Sequence, residues 1–219
     1  AQAEQRELTE KVRQGSATEE DKQKLTKVTK EAKVNVGGSS LLEELEALLK
    51  STRSMAEIDI KIHSILQKVK FEVPVLVIPD CSGSMNEGNR TGGKFMPFQL
   101  AQLFATISML KNPSPDLDDL LVCFGSQCEI YTDGSVGTSK QNRFVQGVST
   151  KVAKLVDRTK SFSENFTNIG KFVNSEMGGT SFDTVAKKIK QWIESDTDFK
   201  QHRIEQLLAY PVFMVISDG

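Results

Sequence analysis

Asp80-Cys-Ser-Gly-Ser84 places a carboxylate and two hydroxyls two residues apart, with Gly83 between the serines. Oxygen donors of this kind suit a hard cation, which takes carboxylate, hydroxyl and water ligands. The pattern alone is weak, because Asp, Ser and Gly are also the residues from which ordinary turns are made. Cys81 and Ser82 have a second possible use, as nucleophiles. A nucleophile needs a base within hydrogen-bond reach, and the only histidines are His63 and His202. Both fall on predicted helices. A complete Gly-x-x-x-x-Gly-Lys-Ser/Thr phosphate loop is missing, since Phe95 follows Gly88–Lys94 where the hydroxyl should stand, and no Gly-x-Ser-x-Gly elbow occurs. The residues therefore speak for binding and against catalysis.

Positioning Asp80 falls to the segment before it. Val75–Ile78 is a short apolar run between two prolines, the signature of a strand buried on both faces. Phe95–Leu110 is apolar nearly all round, with Pro97 suited to a first helical turn, and predicts a helix buried against a sheet. Leu120–Phe124 and Cys128–Thr132 read as an antiparallel hairpin. Phe144 to Val156 has helical periodicity, with Lys151, Lys154 and Arg158 elsewhere on its surface. Phe162–Met177 reads as irregular, its phenylalanines either tucked on the core or lining a rim. A helix follows through Val185, Ala186, Ile189 and Trp192, another spans Lys200–Ala209, and Val212–Ile216 is a second short buried strand. Upstream, Leu8 to Ala32 carries a thin apolar stripe, with Thr18 and Asp21 spaced like a capping box; a helical hairpin and a charged linker fit equally. Leu41–Leu49 and Ile58–Val69 predict two helices, with Ser54 and Glu57 at the cap of the second.

This order of elements implies an α/β layering, a mainly parallel sheet with an antiparallel edge hairpin and helices on both faces. Ligands in such sheets gather beyond the carboxyl ends of the strands. Val75–Ile78 and Val212–Ile216 are expected as neighbours.

Asp80-x-Ser-x-Ser84 after a buried strand, Gly178-Gly179-Thr180 and Ile216-Ser217-Asp218-Gly219, in that order, resemble the metal-ion-dependent adhesion site of von Willebrand factor A domains. The resemblance covers residues 71–219 and implies a Rossmann-like fold; residues 1–70 are a helical N-terminal region or linker outside it. It implies that Ser82, Ser84 and Thr180 touch a magnesium or manganese ion directly, while Asp80 and Asp218 act mostly through bound water. The family expects two further strands after Asp218, so the domain reads as incomplete at its C-terminus. The implied function is a protein-binding module rather than an enzyme, its open metal position accepting an Asp or Glu of a partner. Asn86–Gly93 and Phe162–Met177 are the candidate rim. The motifs look closer to intracellular A domains than to integrins. That group includes the domains following the helical RNA-binding ring of Ro-type (TROVE) proteins, which leaves association with RNA through a larger ribonucleoprotein as an alternative.

Composition narrows the classes. In 219 residues, 28 basic and 29 acidic side chains nearly cancel, giving a net charge of −1 that does not favour bulk nucleic-acid binding. No apolar run approaches membrane-spanning length, so no membrane partner is expected. Of the three cysteines, Cys123 and Cys128 flank a predicted tight turn and could face each other across the hairpin; the favoured reading is that Cys81, Cys123 and Cys128 are all thiols of a cytoplasmic, reducing setting.

Overall fold

The computed structural model describes residues 40–87, 94–114, 116–133, 154–195 and 197–218, with positions 8, 11, 16, 18, 20, 21 and 24 ahead of them. The chain divides into two units. One comprises Ala1–Lys70 with Thr159–Glu164, the other Phe71–Arg158 with Asn165–Gly219.

In the first unit, α1 (Leu41–Lys50) and α2 (Met55–Leu66) form a helical pair. A capping box opens α1: Glu43 N–H donates to Ser40 Oγ and Ser40 N–H to Glu43 Oε2, satisfying two otherwise orphaned donors. Ser54 caps α2 by accepting from Glu57 N–H. Leu45, Ala47 and Leu48 of α1 and Ile58, Ile62 and Leu66 of α2 are buried, so the helical periodicity governs this segment. The helix stops at Leu66, short of Val69. Buried Glu44 accepts from Arg53 at 2.7 Å, with Lys61 at 3.8 Å. Asp59 of α2 accepts from both the backbone N–H and the hydroxyl of Ser163, which ties 159–164 into this unit. Further upstream, Thr18 and Asp21 make the expected reciprocal cap, and positions 8, 11, 20, 21 and 24 are helical.

The second unit is mixed α/β. β1 (Val75–Pro79) pairs in parallel with β4 (Val212–Ile216), and β2 (Leu120–Phe124) pairs antiparallel with β3 (Cys128–Thr132). A single parallel bridge, Asp80 to Phe124, joins the two pairs. Strand alternation splits the core between two faces. Val77, Leu121 and Cys123 face α3 (Pro97–Leu110) through Ala101, Ala105 and Met109. Leu76, Ile78, Leu120, Val122 and Phe124 lie on the other side, against Val185, Ile189 and Trp192 of α5 (Asp183–Glu194) and Leu207 of α6 (Lys200–Leu208). Helices therefore pack on both faces. The polar residues of α3 are absorbed locally, Thr106 Oγ1 donating to the Gln102 carbonyl and Gln102 Nε2 reaching the carbonyl of Phe166.

Four expectations need correction. Phe162–Ile169 is a helix, α4, its first turn counted with the first unit. Ser161 and Glu164 make a capping box at its start, and Phe162, Phe166 and Ile169 recur at helical spacing and are buried. These phenylalanines belong to the interior, and Phe172 packs on Tyr131. The helix predicted over 144–156 lies mostly outside the described residues. Its last residues, Leu155 and Val156, are buried but not helical, because Leu155 N–H donates to Asp133 and Asn168 donates to the carbonyls of Lys154 and Leu155. Arg158 is no surface residue of that helix. It forks onto the fully buried Asp119, both contacts at 3.2 Å, and donates to the Met109 carbonyl. Lastly, β4 is not buried: Val212, Phe213, Met214 and Val215 are exposed, since among the described residues only β1 pairs with this strand.

Candidate metal centre

Asp80 is the first residue beyond β1, and three segments fix its place. Its N–H donates to the Ile216 carbonyl of β4, and Cys81 N–H donates to the Phe124 carbonyl of β2. The Asp80 side chain is fully buried. Its Oδ1 accepts the Ser82 N–H at 2.8 Å and its Oδ2 accepts the Ser217 hydroxyl at 2.7 Å. Gly83–Asn86 then forms a single 3-10 turn that presents Ser84 beside Ser82.

The second loop is laid against the first by its backbone. Met177 N–H donates to the Cys81 carbonyl at 2.9 Å and Gly83 N–H to the Gly178 carbonyl at 2.7 Å. On its other side, the Met177 carbonyl accepts both the N–H and the hydroxyl of Ser126. This sandwich leaves no room for side chains at two positions. A Cβ on Gly125 would sit 2.6 Å from Met177 Cβ, and Gly178 has φ +75°, the left-handed region that glycine occupies without strain. Thr180 follows three residues before α5. Asp218 lies two residues past β4, the strand paired in register with β1, so the pairing itself delivers the second carboxylate.

All five sequence-predicted residues meet. Thr180 Oγ1 donates to Ser82 Oγ at 2.9 Å, Ser82 Oγ and Ser84 Oγ are 3.0 Å apart, and Ser84 Oγ donates to Asp218 Oδ1 at 3.1 Å. A hydroxyl has one proton to give. With the Ser84 proton on Asp218, the Ser82 proton goes to Ser84, and the chain runs from Thr180 to the carboxylate. Sequence reasoning missed Ser217, which carries no spacing signal; only the pairing of β4 with β1 brings it to Asp80.

The donor set is oxygen alone. Cys81 Sγ is buried and turned to the carbonyls of Pro79 and Phe172. Among the described residues there is no group of three or more His, Cys, Asp or Glu suited to a metal; this cluster has two carboxylates and three hydroxyls. Its fit to a cation can be tested on its own dimensions. An octahedral ion with oxygens at about 2.0–2.1 Å sets neighbouring oxygens roughly 2.9 Å apart, and the three separations in the cluster are 2.9, 3.0 and 3.1 Å. Those are hydrogen-bond lengths as well, so charge is the sharper criterion. Among the described residues neither Asp80 nor Asp218 has a cationic partner, and a buried carboxylate without one is costly. The residues fit a small hard cation.

The histidines stand elsewhere. His202 on α6 faces Asp118 at 4.0 Å, and His63 on α2 lies 3.2 Å from Gln67 Nε2. No helix is long and apolar enough to cross a membrane, among the described residues. All three cysteines are free and buried. Cys123 stands opposite Glu129 in the hairpin and Cys128 opposite Phe124, so the register keeps the two thiols from facing each other. No family model, curated protein or solved structure matches this chain.

Proposed function

We propose that residues 71–219 are a von Willebrand factor A-type domain, Rossmann-like in topology, that binds a protein partner through a divalent cation. Ser82, Ser84 and Thr180 would hold magnesium or manganese directly, with Asp80 and Asp218 supplying charge, largely through water. The bound ion supplies an open Lewis-acidic position for a carboxylate of the partner. One observation carries the reading: two carboxylates without cationic partners among the described residues converge with three hydroxyls hydrogen-bonded in a chain, beyond the ends of two parallel strands.

The chain's own residues account for a binding role better than a catalytic one. The Ser82 hydroxyl spends its proton on Ser84 and meets no imidazole, and the Cys81 thiol is turned into the core. Specificity must come from around the site, because one metal–carboxylate bond distinguishes no partner. Asn86 and Glu87 are exposed beside it. The rest of the expected rim at 88–93 lies outside the described residues, and the Phe162–Met177 rim is replaced by the turn at Met177–Thr180. The buried thiols accord with an intracellular setting.

Calorimetric titration with Mn²⁺ tests the reading. The unaltered protein should bind one ion and Asp80→Ala none, with both remaining folded. In pull-downs from extract, chelator should strip the partner, Mg²⁺ restore it, and Thr180→Ala lose it. Equal Mn²⁺ affinity in Asp80→Ala would refute the proposal.

A further inference from the structure

We infer that Ser217 is a positioning residue that holds the Asp80 carboxylate in its water-bridged role and thereby favours a small ion over a large one. The inference rests on the metal-binding reading of the site. Its basis is that both oxygens of Asp80 are already committed to the protein. Oδ1 takes the Ser82 N–H at 2.8 Å, and Oδ2 takes the Ser217 hydroxyl at 2.7 Å. The first bond is backbone and moves only with the loop. The second is a side-chain hydroxyl on the segment between β4 and Asp218, and together with the Ser82 N–H it keeps the carboxylate plane from turning about Cβ–Cγ.

That restraint has a chemical consequence. Magnesium keeps a tight octahedral shell and several waters, whereas calcium takes six to eight oxygens at longer distances and often binds a carboxylate through both of its oxygens. A carboxylate pinned at both oxygens suits the first pattern and resists the second. Without the Ser217 hydroxyl, Oδ2 is released and Asp80 can turn to offer itself to a larger ion. The outer partners of metal-site carboxylates typically matter by about 10–100-fold in metal affinity. Ser217 also couples the two acidic arms of the site. It is adjacent in sequence to Asp218 and bonded to Asp80, so the two carboxylates are set by one dipeptide.

The experiment measures Mg²⁺, Mn²⁺ and Ca²⁺ affinities of the full chain by calorimetry for the unaltered protein, Ser217→Ala, Ser217→Val and Ser217→Thr. The exposed position makes all three variants compatible with folding, which thermal unfolding in chelator checks. Ala and Val should lose about 10–100-fold in Mg²⁺ and Mn²⁺ affinity and markedly less in Ca²⁺ affinity. Thr, similar in size to Val but keeping the hydroxyl, should restore the preference for Mg²⁺. A residue of merely structural importance would weaken all three ions alike, and that outcome overturns the inference. So does a Val variant that discriminates as well as Thr. Failure of the unaltered protein to bind any of the ions refutes the metal reading itself, and the role of Ser217 falls with it.

Discussion

Gly125→Ala isolates the contact that positions Thr180. The added methyl would lie 2.6 Å from Met177 Cβ and 2.7 Å from the Met177 carbonyl oxygen, atoms fixed to the backbone. Ordinary carbon contacts begin near 3.5 Å, so Met177 must retreat by roughly 1 Å. Such a shift works directly on the Gly83–Gly178 bond of 2.7 Å and the Thr180–Ser82 bond of 2.9 Å. Overpacking of this kind costs about 1–3 kcal/mol, which for a domain of this size lowers Tm by roughly 2–12 °C. Gly179→Ala is the control, because its Cβ meets nothing within 4 Å. Thermal unfolding in chelator and Mn²⁺ titration should separate the two variants: Gly125→Ala less stable and at least about tenfold weaker for Mn²⁺, Gly179→Ala close to the unaltered protein. If the two behave alike in both assays, the close approach of Met177 to Gly125 is not what places Thr180.

Asp119 offers a pH test. Burial outweighs the Arg158 guanidinium and lifts its carboxyl to about 6. The folded state then holds a proton that the unfolded state has lost, so stability should fall by roughly 3 kcal/mol as pH rises from about 4 to 6 and level off above; a denaturation series rising across that window would contradict this. Burial also raises the thiols of Cys123 and Cys128. Alkylation without reductant should label none quickly in the native protein and three after denaturation, whereas one label after denaturation would establish a disulfide. Ile62→Ala in α2, a fully buried site, should destabilise the first unit by about 2–5 kcal/mol. Unchanged denaturant unfolding would place that side chain outside a core.

Most strands were legible because burial on both faces leaves a continuous apolar run, and Val75–Ile78 carries one. Val212–Ile216 carries the same run yet is exposed, since composition records what a strand tolerates and not which neighbours it has. The helix at Phe162–Ile169 was signalled by Ser161 and Glu164 and by the 162, 166, 169 spacing; its polar residues Ser163, Glu164 and Asn165 obscured the periodicity. Asp80 and Asp218 were legible as carboxylates at loop positions after apolar strands, whereas Thr180 joined Ser82 and Ser84 as a set only through the resemblance to the A-domain adhesion site. Ser217 and the Arg158–Asp119 fork depend on which segments meet, and nothing local to either sequence position announces that.

The hydroxyl chain joins positions separated by 98 residues between Ser82 and Thr180, and by 134 between Ser84 and Asp218. Nothing in a local fragment can assemble it. Loop closure over such spans and parallel pairing of β1 with β4 are among the slower events in folding, so the cluster is complete only when the whole sheet is. An ion bound there would discriminate folded from unfolded chain, and would stabilise the native state in proportion to the logarithm of its concentration over its Kd. The same oxygens that would meet a partner would also certify that the chain presenting them has finished folding.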